Sequence, residues 1–269
     1  MFSKLRSLIF KVDPEKAHSL AIKSLKFNLI PNVFDENKND PIFQTKIFDK
    51  DLDNPIGIAA GFDKNAEVYN PLFKLGFGFV EVGTITPLKQ YGNPKPRVFR
   101  LVEDEALINR LGFNNHGAEI VKERIKRNKK LGLLGINIGP NKDSSDRLND
   151  YLIGFKTFYD DADYITINIS SPNTENLRAF HEGDKLQNLL KSIMSERKNL
   201  KSNIPIAVKV SPDISEDQVN KISEILLEYE IKAIIVSNTS EATRDKLSNI
   251  QRHQKGGLSG KPIEEKSNI

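Results

Sequence analysis

Six short apolar runs, each ending in polar residues, constrain the fold of this 269-residue chain more than any other feature. They are "PIGIAAG" (55–61), "FVEVGTIT" (79–86), "LGLLGINIG" (131–139), "DYITINIS" (163–170), "IPIAVKVS" (204–211) and "AIIVSNT" (233–239). Near-continuous Ile, Val and Leu over about seven residues suits strands covered on both faces, and hence a parallel sheet. Between the runs lies helix-patterned sequence, as at 184–200 ("DKLQNLLKSIMSERKNL") and 215–230 ("SEDQVNKISEILLEYE"). Ser215 is placed to cap the second of these, with Gln218 three residues on. Strand and helix alternating six times predicts an α/β fold.

Two α/β architectures compete. A dinucleotide-binding sheet wants G-x-G-x-x-G between its first strand and helix, and "GIAAGFDKNAEV" does not supply it. A (β/α)₈ TIM barrel instead collects functional groups at the C-terminal ends of many strands. The six runs end in "GFDKN", "GTITP", "NIGPNKD", "NISSPN", "KVSPD" and "SNTS", so polar groups gather repeatedly at one end. The expectation is a TIM barrel, incomplete in that six of its eight strands are present, spanning 46–269. Within it, alternating residues in "KPRVFRLVEDEALINRLGFNN" (95–115) around an acidic turn predict a β-hairpin over the barrel mouth.

Residues 1–45 read as a separate helical appendage. "VDPEKAHSLAIKSLKF" opens with Asp13 as N-cap and Pro14 at the first helical position. Ala17, Leu20, Ala21 and Leu25 are expected to share one face, leaving Lys16, Lys23 and Lys26 to water. Upstream, "FSKLRSLIFK" is a second short amphipathic piece, adding Lys4, Arg6 and Lys11.

Composition removes several kinds of chemistry. Forty Lys and Arg against 36 Asp and Glu leave a net charge of +4, too diffuse for a nucleic-acid surface. Cysteine is absent, which excludes disulfides, thiolate metal sites and a thiol base. The four histidines, His18, His116, His181 and His253, are scattered, and no metal site is expected. No apolar run approaches the ~18 residues of a membrane span, and no signal peptide is evident.

The cluster "NISSPNTENLR" (168–178) ends an apolar strand in amides and hydroxyls, a good set for gripping a small planar molecule. Alone, Asn and Ser after a strand more often form turns. Taken with "NPIGIAAGFDKNAE", "GFVEVGTITPLKQYGNPKPRVFRL", "INRLGFNN" and "GGLSGKP", however, the chain resembles class 2 dihydroorotate dehydrogenase, from Lys4 to its end. That family is quinone-dependent, FMN-containing and membrane-associated. The resemblance implies oxidation of dihydroorotate to orotate in pyrimidine biosynthesis, with hydride transfer to FMN and reoxidation by membrane quinone.

What the resemblance implies can be written residue by residue. Ser171 stands where class 2 enzymes carry the base, and Thr174 is the candidate to relay its proton. The substrate falls to Lys64, Asn109, Asn168, Asn173, Asn238 and Thr239, bordered by Arg110, Leu111, Gly112 and Phe113. Flavin contacts fall to Ala60, Gly61, Phe62, Asp63, Lys64, Thr84, Asn137, Asn168, Lys209, Ser237 and Gly260, with Lys209 favouring the reduced anion. The N-terminal segment implies a quinone entrance resting on the cytoplasmic face of the inner membrane as a peripheral attachment.

The sequence departs from the family at Pro140, where lysine is common, and at Ser237, where threonine is common. The chain also stops nine residues after "GGLSG", before the strands whose loops bind the flavin phosphate in the family. An alternative therefore stands beside the enzyme: an inactive remnant or fragment that no longer holds FMN and acts at most as a membrane- or partner-binding module. A third reading replaces quinone by fumarate or NAD, against which Ser171 and the N-terminal appendage argue.

Overall fold

The computed structural model describes residues 9–29, 40–174, 176–242 and 244–268. Helix α1 (Pro14–Lys26) is capped as expected, the Asp13 carboxylate accepting from the Lys16 amide at 2.9 Å. The buried face of α1 differs from the expected one. Ile22 and Leu25 are buried, and the half-buried His18 lies on their side with its Nε2 at 2.8 Å from the Phe62 carbonyl, whereas Leu20 is 56% exposed. Residues 18, 22 and 25 share one side of a 3.6-residue helix, and position 20 lies across the axis. Most of "FSKLRSLIFK", with Lys4 and Arg6, falls outside the described residues.

A small hairpin, β1 (Thr45–Ile47) and β2 (Lys50–Leu52), comes next. Leu52 packs with Leu133, Tyr164 and Ala207 at the strands' N-terminal ends. The barrel then begins with β3 (Gly57–Ile58), α2 (Tyr69–Lys74) and β4 (Phe79–Ile85). The mouth hairpin β5 (Val98–Leu101) and β6 (Ala106–Asn109) follows, antiparallel around residues 102–105 as expected. Next come α3 (Ala118–Arg127), β7 (Leu133–Ile138), α4 (Arg147–Phe158), β8 (Tyr164–Asn168) and α5 (Gly183–Asn199). The chain continues through β9 (Ile206–Lys209), α6 (Glu216–Glu228), β10 (Ala233–Ile235), β11 (Gly257–Gly260) and α7 (Glu264–Asn268). Helix α6 carries the expected capping box between Ser215 and Gln218.

All six apolar runs became strands of one parallel sheet, ordered β10-β9-β8-β7-β4-β3. That order follows the chain without the reversal of a doubly wound sheet, so the winding is that of a barrel. Alternate residues divide two environments. Val80, Val82, Ile136, Ile138, Ile165, Ile167 and Val208 pack outward against Phe155, Leu189, Ile193 and Ile222 of the helices. Their neighbours Glu81, Asn137, Thr166, Asn168 and Lys209, all buried, take the other side of the sheet.

Within "GGLSG", residues Gly257–Gly260 form strand β11. Strand β11 pairs antiparallel with β6, making a three-stranded sheet with β5. This sheet has its own core of Phe99, Leu101, Ile108, Leu247, Leu258 and Ile263. Glycine at 257 is required, because a Cβ there would lie 1.8 Å from the Thr239 hydroxyl.

Candidate active site

The polar strand ends meet at a cavity of about 320 Å³. Ala60, Gly61 and Lys64 enter after β3, Thr84 from β4, and Asn168, Ser171 and Asn173 from β8 and its loop. Lys209 ends β9, and Ser237, Asn238 and Thr239 follow β10. The mouth sheet adds Asn109, with Leu111, Gly112 and Phe113 just beyond it.

Local chemistry explains why β8 stops where it does. The Asn168 side-chain oxygen accepts from the Ser170 amide at 3.1 Å and the Ser170 hydroxyl at 2.7 Å, which turns the chain out of the sheet. Ser171 is 4% exposed, its Oγ accepting from the Asn173 amide at 3.2 Å. Asn173 in turn reaches Asn109 of the mouth sheet at 3.4 Å. From outside, the Tyr151 hydroxyl donates to the Asn168 carbonyl at 2.6 Å. Arg178 donates to the Ser170 carbonyl at 3.2 Å and the Thr239 carbonyl at 2.9 Å while pairing with Asp213 at 3.0 Å. The loop carrying Ser171 is thus held from both sides. Thr174 is buried, and its hydroxyl has no hydrogen-bond partner among the described residues.

The electrostatics are one-sided. Two lysines and no carboxylate line the cavity among the described residues. Burial lowers the Lys64 ammonium to about 8, with Glu15 opposing the shift and Arg97 adding to it. Its Nζ donates to the Gly61 carbonyl. Lys209 is 8% exposed, and its ammonium has no hydrogen bond or ion pair among the described residues. A buried cation without a partner is costly, so the cavity is built for an anion or an electron-rich edge. Around the lysines, the Asn109, Asn168, Asn173 and Asn238 amides offer both donors and acceptors.

Several residues expected at the site lie elsewhere. Asn137 sits one layer behind, its Oδ1 accepting from the Thr84 hydroxyl at 2.6 Å. Asp63 is buried and accepts from the Glu67 amide at 2.8 Å and the Val68 amide at 2.7 Å. It organises the turn after β3, and burial raises its carboxyl against those bonds. Phe62 packs against His18 of α1 with the two rings near perpendicular. Arg110 stacks over Phe99 and donates to the Pro96 carbonyl at 2.9 Å and to Gln254 at 2.9 Å, bracing the mouth sheet. Gly260 pairs with Ala106 at the far end of β11, outside the cavity lining.

Conversely, Asn114, Ser259, Ile263 and Ser267 line the cavity without having been singled out. The Ser267 hydroxyl lies 3.1 Å from that of Ser237. Asn114 continues the segment after β6, whereas nothing local in "SGKPIEEKS" marks Ser259, Ile263 and Ser267, which are brought to the site by the pairing of β11 with β6.

Comparisons with known proteins agree with one another. The family model for dihydroorotate dehydrogenase matches residues 42–268. The chain is 46% identical over 272 residues to the dihydroorotate dehydrogenase (quinone) of Agrobacterium fabrum, covering 99% of this chain and 74% of that one. It is 48% identical over 271 residues to the protein of that name from Bartonella tribocorum, covering 98% and 74%. The ligand-free crystal structure of DHODH from Eimeria tenella superposes with a TM-score of 0.89 at 37% identity, over 95% of this chain and 77% of that one. The crystal structure of the same enzyme in complex with ferulenol gives 0.87 at 37% identity.

Proposed function

The chain belongs to the dihydroorotate dehydrogenase family, and from that membership we propose that it oxidises dihydroorotate to orotate in pyrimidine biosynthesis, with FMN as the bound flavin and a membrane quinone as the final acceptor. The observation that carries this reading is the cavity itself: a buried serine, an amide lining and two lysines, with no carboxylate among the described residues lining it.

The ligand chemistry fits those residues. Asn109, Asn168, Asn173 and Asn238 match the alternating donors and acceptors of a pyrimidine edge, and Lys64 offers charge to the substrate carboxylate. Ser171 accepts the C5 proton as the double bond forms. A hydroxyl is a weak base, so Ser171 releases its own proton as it takes the new one. The buried Thr174 hydroxyl, without a hydrogen-bond partner among the described residues, is the candidate to relay it through water, giving up its own proton toward solvent as it takes the new one. FMN, when bound, supplies the acceptor for the C6 hydride and the route of its electrons to quinone. Two observations support room for it. A Cβ on Gly61, whose φ is +115°, would meet nothing within 4 Å, and the Lys209 ammonium lacks a partner among the described residues. Ala60, Gly61, Thr84, Lys209 and Ser237 would hold the ring.

Helix α1 supports contact with a membrane surface. Leu20 and Phe27 are 56% and 73% exposed beside Lys16 and Lys23. Among the described residues no helix is long and apolar enough to cross a membrane. Peripheral attachment at the cytoplasmic face would bring the flavin's oxidant to the protein.

The test is the visible spectrum of the FMN-reconstituted chain before and after anaerobic addition of dihydroorotate. The flavin bands are expected to bleach, and Ser171→Ala to slow bleaching by at least about 100-fold while leaving FMN bound. A chain that holds no flavin, or holds it without bleaching, would overturn the reading and return the alternative of a binding module.

A further inference from the structure

Behind the cavity wall lies a continuous file of hydrogen bonds that begins at a single carboxylate. Glu81, on β4, is 3% exposed. One of its oxygens accepts from the Asn137 amide at 2.9 Å, the other from the Thr166 hydroxyl at 2.7 Å. The Tyr164 side chain also lies against it. The Asn137 oxygen then accepts from the Thr84 hydroxyl at 2.6 Å and from the Asn168 amide at 3.2 Å. Asn168 donates as well to Thr84 Oγ1 at 2.9 Å. Its own oxygen takes the Ser170 hydroxyl at 2.7 Å, and Ser170 Oγ accepts from the Asn238 amide at 2.8 Å.

The first link fixes the sense of the second. A carboxylate only accepts, so Asn137 must turn its NH₂ toward Glu81 and its oxygen toward Thr84 and Asn168. An amide oxygen only accepts, so Asn168 presents NH₂ there, a sense that the Ser170 backbone amide on its oxygen also holds. Asn238 is fixed locally, its oxygen accepting from the Thr239 amide at 2.8 Å while its NH₂ goes to Ser170. Asn137 has no such backbone partner for its side chain among the described residues, and reversing it sets oxygen against carboxylate and NH₂ against NH₂ in a buried place.

We propose that Glu81 is the positioning residue that sets the donor and acceptor sense of Asn137, and through the Asn137 oxygen holds the Thr84 hydroxyl and the Asn168 amide in the arrangement the cavity shows to a pyrimidine ring. It lies outside the ligand cavity and acts through Asn137 on β7. The proposal rests on the reading of the cavity as a dihydroorotate and orotate site, and its test separates the two.

The test is a double-substitution cycle on the full chain. In Glu81→Gln the new amide must turn its NH₂ toward Asn137 or toward the two hydroxyls, so one bond of the set is lost either way. In Asn137→Asp two carboxylates face each other. In the double variant the amide introduced on β4 donates to the carboxylate introduced on β7, whose other oxygen again accepts from Thr84 and Asn168, and the original sense returns. Orotate affinity, measured by calorimetry with FMN present, is expected to fall about tenfold in Glu81→Gln and further in Asn137→Asp. The double variant should recover to within about threefold of the starting protein. The ¹⁵N-correlated side-chain amide signal of Asn168, recorded without ligand, should shift in both single variants and return in the double, while that of Asn238, held by the Thr239 amide, should move little.

Additive losses, or an Asn168 amide signal unmoved in Glu81→Gln, would sink the proposal. If Asn137→Asp does not fold, the double variant must still bind orotate better than Glu81→Gln. If the starting protein binds no orotate, the pyrimidine reading fails and the Asn168 amide signal still decides the role of Glu81.

Discussion

The Lys64 ammonium, lowered to about 8 by burial, changes charge within the range of an ordinary binding assay. Orotate carries a carboxylate, so it binds better when Lys64 is protonated. Below about pH 8 the dissociation constant should be flat; above it, affinity should fall by up to tenfold for each further pH unit. Bound orotate raises the lysine's pKa in turn, so the break in the complex lies higher than in the free protein. Lys64→Met should weaken binding at pH 7 and remove the break. An orotate affinity that holds level through pH 9 or so would mean that Lys64 faces something other than the ligand's charge. The neighbouring Asp63 shows where sequence reading stops at this scale. Both residues follow the same apolar run, yet Asp63 turns inward to cap the amides of Glu67 and Val68 while Lys64 faces the cavity. One step along an irregular loop reverses a side chain, and no periodicity records it.

Regular elements were legible because their signals are local. The six apolar runs became six parallel strands, and the hairpin at 95–115 and both cap residues formed as their chemistry required. Strand β11 was not legible as a strand, since four residues with two glycines pair only because β6 is already in place. The exposed Leu20 on α1 has a similar cause: packing on Phe62 chose the side of the helix bearing His18. The same kind of long-range contact holds the Ser171 loop. After that loop, the buried His181 imidazole takes the Ser211 amide at 3.4 Å, tying the segment to the end of β9. Burial, with the Arg178 guanidinium adding to it, pushes His181 down to about 4. The unfolded chain therefore binds a proton that the folded chain refuses between about pH 6.5 and 4. Stability should fall as pH drops through that window, by up to about 3 kcal/mol, and level off below it. His181→Gln keeps an acceptor for Ser211 and cannot titrate. Urea unfolding at several pH values should show a smaller acid loss in this variant than in the starting protein; parallel curves would assign the loss to other groups.

At the scale of the whole molecule, the sheet is an arc. A closed barrel of this kind has eight strands, and here, among the described residues, β3 and β10 each pair on one side only. Between these edges, Phe48, Phe79, Tyr164, Ala207, Ala233 and Ile235 line an opening of about 360 Å³. Ile56, Ile234 and Val236 at the edges are 64%, 46% and 57% exposed. Unpaired, Ile-rich edge strands next to an apolar groove are templates for further pairing. Lys209 lines both this opening and the ligand cavity, so the open side reaches to the floor of the site. The 269-residue chain, purified alone, should therefore bind a hydrophobic dye and grow in apparent mass with concentration in light scattering. A charge on the edge opposes strand addition at little cost to the fold, because position 234 is half exposed already. Ile234→Lys should shift the population toward monomer while leaving the thermal transition near its original temperature. A monomer at every concentration, with no dye bound, would mean that the two edges are shielded in solution by a closure of the arc that these strand positions do not contain.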